Sequence, residues 1–393
     1  MDYNFIFNES EKIKGQLIKW RRHFHKHPET ELDCFETSKF IQQELRKMNI
    51  EVKTGFAKTG LVGIIEGKSG GKVIGIRADM DALPIKEQTG LPFASENEGV
   101  SHACGHDGHM AMCLGVAKVL SDYRDKFTGT IKLLFEPGEE YPGGAKLMVE
   151  DGALENPKVD AIIGCHIYPE IDTGKFGLRY GAMTARNDEF TIQLKGPGGH
   201  GAHPDEVPDP MIAAGFFITQ LQTIVSRFKH PVEPLVINLG HIFAEGSYNV
   251  IVQSVCMKGT IRSIDYGLRN QAINQMDQIL KGLKTAFNVD YDLKIVDGEP
   301  PLFCDKELTS IAENMLVRLF GKEKTIIIER PSMGAENFAF YSEKVPVVYL
   351  RIGSRDEAQG FINPLHSAKF NFDENILPQG IAVIGSLALK LLK

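Results

Sequence analysis

Cysteine and histidine are scarce in this chain of 393 residues, at 6 and 12, and a surplus of positive charge is absent. With 44 Lys and Arg against 51 Asp and Glu, the formal net charge is -7. That argues against nucleic acid as a partner, because phosphate binding wants a basic surface. No apolar run reaches the roughly 18–20 residues that a membrane span needs, so no membrane partner is expected. The opening stretch, MDYNFIFNESEKIKG, carries acids early and lacks a basic-then-apolar signal pattern, which makes a cytoplasmic location the expectation. Cys34, Cys104, Cys113, Cys165, Cys256 and Cys304 are widely dispersed and do not read as a disulfide framework. Most read as small buried apolar residues; Cys104 is set apart by its neighbours.

What is present is concentrated. His102 to Met110 reads HACGHDGHM, so His102, Cys104, His106 and His109 fall within nine residues. Cys104, His106 and His109 are all plausible ligands for a borderline-soft divalent metal. Gly105 and Gly108 let the backbone turn sharply enough to aim side chains at one point.

The length exceeds one typical core, so two domains are expected. Ser10 to His27 reads as a helix with Ser10 as N-cap, ended by Pro28. His23, His25 and His27 lie at i, i+2 spacing, which on a helix sends them to different faces; a polar helix end with one His packed inward is favoured over a metal site. A second helix is expected over Cys34 to Met48. Buried strands are predicted at Lys72 to Ala78, Gly129 to Phe135, Val159 to Cys165 and Val345 to Ile352. The first runs into Asp79 and Asp81, which are either turn caps or two carboxylates aimed the same way. The second ends at Glu136, Glu139 and Glu140, either a solvated loop or a pair of like charges in need of a cation. The third delivers His166 just beyond its end, and a loop after the fourth carries His366. A helix over His109 to Ser121 puts the HACGHDGHM loop at its N-terminus. Sites in open α/β sheets form at the carboxyl ends of strands, and alternation with helices predicts a mostly parallel sheet with flanking helices.

Residues 187–296 have a different rhythm. Strands are expected at 188–195, 235–241, 254–262 and 289–296. Helices are expected at 210–228, with Ile212, Phe216, Leu221 and Val225 inward, and at 268–287. The order β-α-β-β-α-β is the split ferredoxin-like unit, so an α+β domain over 187–296 is expected to interrupt a larger domain of 1–186 and 297–393. Gly196 to Gly201 matches G-x-G-x-x-G, but Pro204, Pro208 and Pro210 separate it from the next helix, so no helix N-terminus abuts the glycines as a dinucleotide site requires.

The candidate ligands are then Cys104, His106, Glu140, His166 and His366. A structural zinc would draw on four closely paired ligands; five dispersed ones with carboxylates nearby suit a two-metal hydrolytic site. A metal there lowers the pKa of a bound water, which attacks a carbonyl. A carboxylate beside a ligating carboxylate is well placed to move the proton, so Glu140 ligates and Glu139 is the base. Asp81 would orient a ligating imidazole. Cys favours zinc while the carboxylates allow manganese; cobalt or nickel are further candidates.

RRHFHKHPE (21–29), RADMDALPI (77–85), HACGHDGHM (102–110), FEPGEEYPGGAKLMVEDG (135–152), GCHIYPE (164–170), GPGGHGAHP (196–204), NVI with a later GTIR (249–262) and LHSAKF (365–370) together resemble the M20 peptidase family, in particular its amidohydrolase branch. The resemblance runs nearly end to end. It implies a di-metal catalytic domain with an inserted ferredoxin-like domain that mediates dimerisation and closes over the site. It puts the five ligands and the base on the residues above, with Asp81 at the family's orienting aspartate. It implies that His200 hydrogen-bonds the carbonyl oxygen in the transition state, and that Asn249 and Arg262 hold the substrate's carboxylate, for which an Arg fork is suited. Without the family, the alternative reading of Arg262 is an edge-strand charge.

The expected function is metal-dependent hydrolysis of the amide bond of N-acyl-L-amino acids by a homodimer or higher homo-oligomer. A dipeptidase or carboxypeptidase on the same scaffold, or a metal- or peptide-binding protein without catalysis, are the alternatives. Two residues depart from the family pattern. Glu136 stands where Gln is usual and is expected to add charge near the metals, raising the base's pKa. Asn337 stands where Asp is usual, which removes any carboxylate role there.

Overall fold

The computed structural model describes residues 3–393. They form two compact units: a larger one up to Met183 with Phe303–Arg330 and Asn337–Lys393, and a smaller one of Thr184–Leu302 with Pro331–Glu336. Against the expected segment 187–296, the smaller unit is longer at both ends and takes in a separate short loop. That loop is tied to it by backbone pairing: Ala185 N–H donates to Gly334 O at 3.0 Å.

The larger unit is built on an eight-stranded sheet. Its centre is four parallel strands in the order Thr128–Glu136, Lys68–Asp79, Ala161–Asp172 and Val347–Arg355. The hairpin Glu51–Phe56/Gly60–Glu66 extends one edge antiparallel, and Phe176–Leu178 with Thr325–Ile327 extend the other. The central strands are near-continuous apolar runs, as strands covered on both faces are. The helix His106–Ser121 is buried along almost its whole length, and so is Ile376–Leu391. Helices apolar all round lie inside a core rather than on its surface, and each fully buried Leu, Ile or Val contributes about 1.5–3 kcal/mol.

The parallel register carries the site. Asp79 pairs with Glu136, and His166 with Arg351. His166 therefore lies within its strand and not beyond its end, because parallel pairing with Val347–Arg355 continues past the apolar run to Asp172. The first helix also differs from expectation. The chain forms Tyr3–Lys12 and then Lys14–Lys26, and Ser10 is no N-cap: its Oγ donates to Phe7 O (2.7 Å) and Pro378 O (3.0 Å).

The smaller unit is a four-stranded antiparallel sheet in the order Leu235–Phe243, Ser254–Ser263, Arg186–Lys195, Asp290–Val296, with helices Pro210–Arg227 and Tyr266–Phe287 packed on it. This is the split β-α-β-β-α-β order. The inward face of Pro210–Arg227 is only partly the expected one: Leu221 is buried and Val225 packs against the core, but Ile212 and Phe216 do not turn inward. Ala213, Ala214, Phe217, Leu221 and Ile224 are buried, while Ile212 and Phe216 are about half exposed, at 51% and 49%. Among the described residues no helix is long and apolar enough to cross a membrane.

Candidate metal centre

The HACGHDGHM segment turns into its helix at Gly105, whose φ of +86° is left-handed. L side chains rarely adopt that region, so only glycine lets Cys104 and His106 point together without strain. A Cβ at Gly108 would lie 2.5 Å from Ile167 Cδ1, so glycine there allows the helix to seat against the strand carrying His166.

Sulfur, imidazole and carboxylate groups converge at this end of the sheet. Cys104 Sγ lies 3.4 Å from His166 Nε2 and 3.5 Å from His366 Nε2. His366 Nε2 is 3.0 Å from Glu140 Oε1. Ligand atoms of Cys104, His106 and His166, of Cys104, Glu140 and His366, and of His106, Glu139 and Glu140 all fall within 4.8 Å of one another as sets. His366 adopts φ +63°, a conformation that costs a non-glycine residue about 1–3 kcal/mol and clusters at functional sites. Its backbone N–H is tied to Ala103 O at 2.8 Å.

Hydrogen bonds at the outer ring nitrogens set the tautomers. His106 Nδ1 donates to the Asp81 carbonyl (2.8 Å), and His166 Nδ1 to the Ile167 carbonyl (2.6 Å). A neutral imidazole that donates from Nδ1 has a bare Nε2. For His106 that Nε2 is buried without a hydrogen bond, with Asp79 Oδ2 3.6 Å away. Asp81 thus acts on the imidazole through its carbonyl; its carboxylate lies 3.7 Å away and instead accepts the backbone N–H groups of Glu139 (2.9 Å) and Glu140 (3.1 Å). It fixes the glutamate pair as well as the ring.

The electrostatics favour a cation. Burial alone would lower the His106 pKa, but Asp79, Cys104 and Asp81 push it well above its usual value, so without a metal the ring favours a second proton, and a divalent ion would take that proton's place on Nε2 and leave the neutral tautomer. Burial, with Glu140 and Glu139, holds the Cys104 thiol well above its usual range although His106 opposes this. Burial would also raise Glu140, but His366 and His106 pull it down. A borderline-soft divalent ion fits this thiol–imidazole–carboxylate set, and the orphaned His106 Nε2 is the atom such an ion would satisfy.

His109 forms a further set with Asp79 and His106 whose ligand atoms lie within 4.8 Å of one another, but both of its ring nitrogens are already hydrogen-bonded. Its Nδ1 donates to Asp79 Oδ1 (2.6 Å) and its Nε2 accepts the Ile167 N–H (2.9 Å). His102 is buried with neither ring nitrogen hydrogen-bonded, and burial lowers its pKa to about 3. His25 packs inward between Asp107 (2.8 Å) and Glu87 (3.2 Å).

Both departures have structural partners. Glu136 does not present a free charge: Arg77 binds it through two bonds of 3.0 Å and Tyr341 OH donates at 2.9 Å. Asn337 Oδ1 accepts the Ala145 N–H (2.7 Å), and its own backbone N–H donates to Glu139 Oε1 (3.2 Å). Sequence reasoning missed Arg77 and Tyr341, because nothing local to either marks it as the partner of a distant carboxylate.

In the smaller unit, His200 and Asn249 are brought together. His200 pairs with Val250 across a two-stranded ladder, and Gly201 N–H donates to Asn249 O at 2.9 Å. Arg262 lies on Ser254–Ser263, with Nη1 donating to Met333 O at 3.1 Å.

Fold and cluster together are those of a hydrolase. The chain belongs to peptidase family M20/M25/M40, whose model matches residues 75–390. It is 37% identical to the N-acetyl-L-cysteine deacetylase of Bacillus subtilis, over 97% of this chain and 89% of that one. It is 36% identical to thermostable carboxypeptidase 1 of Saccharolobus solfataricus, over 98% and 97%. A solved structure from Bacillus subtilis, described as a dinuclear metal binding peptidase from the M20 family, superposes with a TM-score of 0.86 at 32% identity, covering 97% and 99%. The chain is therefore a hydrolase of the M20 family, a family of amide-cleaving enzymes.

Proposed function

We propose that the protein is a metal-dependent amidohydrolase that removes the acyl group from N-acyl-L-amino acids. The observation that carries this reading is the convergence of Cys104 Sγ on the Nε2 atoms of His166 and His366, beside a buried His106 Nε2 that makes no hydrogen bond. Cys104, His106, Glu140, His166 and His366 would hold two divalent ions, with Mn2+ or Zn2+ favoured and Co2+ or Ni2+ as alternatives. When bound, such ions polarise a carbonyl oxygen and acidify water.

The chain's own groups then divide the remaining work. Asp81 holds the backbone of Glu139 and Glu140, so the two carboxylates stay side by side. Glu139 takes the proton from the attacking water and returns it to the leaving nitrogen as the C–N bond breaks. The Asn337 N–H orients the Glu139 carboxylate. His200 is proposed to hydrogen-bond the carbonyl oxygen, and Asn249 and Arg262 to hold the substrate carboxylate. A cytoplasmic homodimer completes the reading.

The test is a panel of N-acyl amino acids and unblocked dipeptides, assayed on chelator-stripped protein with and without added Mn2+ or Zn2+. Metal-dependent release of free amino acid from the N-acyl substrates supports the proposal. Turnover confined to dipeptides assigns the chain to the peptidase alternative, and no turnover with two ions bound assigns it to the binding alternative.

A further inference from the structure

Next to the metal cluster lies a pocket that no part of this chemistry uses. His166 and Tyr168 sit at i and i+2 of one strand, hence on the same face, with ring centroids 6.4 Å apart. Arg351, the register partner of His166, lays its guanidinium over the Tyr168 ring, 3.9 Å from the centroid, which pins the ring. Against it opens a pocket of about 250 Å³, walled by Tyr168, Pro169, Ile362, Pro364 and Leu365. Leu365 immediately precedes His366. The pocket therefore begins within two residues of each of two imidazoles proposed to hold metal.

Pockets that bury a whole drug-sized ligand measure roughly 300–1,000 Å³, so this one suits a single substituent. At ~30 Å³ per water-sized group, it has room for roughly eight carbons, far more than a methyl.

Its charged lining groups are Glu170 and Arg355. Arg355 is already paired, Nη2 to Glu357 Oε1 at 2.6 Å. Glu170 is an exposed anion and repels another carboxylate. The amino-acid end of an N-acyl amino acid always carries a carboxylate; the acyl end does not.

We infer that this pocket is the acyl subsite, and that the preferred substrates carry an apolar acyl group of medium length or a phenyl ring rather than acetyl. The inference rests on the amidohydrolase reading above. An acetyl group leaves the apolar walls wet, whereas each methylene that displaces water there raises kcat/KM by up to about fourfold.

The experiment compares kcat/KM for N-acetyl, N-butanoyl, N-hexanoyl and N-benzoyl derivatives of one amino acid, for wild type, Ile362→Asp and Leu365→Ala. In parallel, binding of hexanoate alone is measured by calorimetry on the metal-loaded proteins. Wild type is expected to favour hexanoyl over acetyl by at least about tenfold. Ile362→Asp, which sets a carboxylate in an apolar wall, is expected to collapse that ratio and to weaken hexanoate binding to a similar degree. Leu365→Ala is expected to shift the optimum towards bulkier acyl groups. A flat acyl profile, or a wild-type preference that Ile362→Asp leaves unchanged, overturns the subsite while the amidohydrolase reading stands. Turnover of dipeptides alone overturns that reading instead, and hexanoate binding, present and sensitive to Ile362→Asp or not, then decides the subsite independently of turnover.

Discussion

His109 donates its Nδ1–H to Asp79 Oδ1 at 2.6 Å. The amide of Ile167 can only donate, so the bond of 2.9 Å to His109 Nε2 requires that nitrogen to be bare. The ring is therefore neutral, fixed in one tautomer and fully occupied, and it clamps the strand at the residue after His166. Burial would raise the Asp79 pKa, but Arg77, His106 and His109 hold it well below the usual carboxylate range.

His109→Ala should consequently loosen the metal centre without removing a proposed ligand. Supporting groups of this kind are worth about 10–100-fold in metal affinity. Titration of stripped protein with Zn2+, followed by mass spectrometry of bound metal, checks it. Unchanged affinity would show that strand pairing alone positions His166.

Glu139→Gln and Glu140→Gln should separate base from ligand. The first is expected to lower kcat by about 10²–10⁴-fold with metal content intact. The second is expected to lose metal. Similar metal loss in both variants would mean that the pair acts together as ligands.

Removing the metals should lower thermal stability as well as activity. A ligand that binds only the folded state at 100 times its Kd adds about 2.7 kcal/mol. Melting temperature with and without chelator reads this directly, and equal values would contradict bound metal.

Arg77→Met should strand two buried carboxylates, Asp79 and Glu136, each held by Arg77. Breaking such a pair costs about 3–5 kcal/mol. Chemical denaturation measures it, and Arg77→Lys, which keeps the charge but not the two-pronged contact, should restore only part of the loss.

In the smaller unit, Asp188 is buried between Arg186 and Arg269. Burial would raise its pKa, but these two arginines bring it below the usual value. A carboxyl depressed in the folded state stabilises above its unfolded pKa, and that stability is lost as pH falls through the folded one. Asp188→Asn should cost about 3 kcal/mol at neutral pH, and the gap to wild type should close as pH drops below the ordinary carboxylate range. A pH-independent gap would assign the loss to packing.

The fold class was legible because its signals are local. Apolar runs such as Lys72 to Ala78 and Gly129 to Phe135 could only be buried strands, and each was found within a few residues of its predicted bounds. The face of Pro210–Arg227 was misread because Phe216 and Phe217 are adjacent and equally apolar, and only the sheet beneath selects Phe217.

By itself the sequence determined the α/β class and the family, and it supplied side chains of the types that bind metal, since residue type and order carry that chemistry. Tertiary structure alone decided how those residues are used. Within one loop, His106 keeps an Nε2 free of hydrogen bonds in the sets with Cys104 and Glu140, while both ring nitrogens of His109 are spent on Asp79 and Ile167. Glu136, which read as a loose charge, is neutralised by Arg77 from 59 residues away. Such choices depend on which strands lie side by side and in what register, a relationship between distant segments that no local pattern encodes.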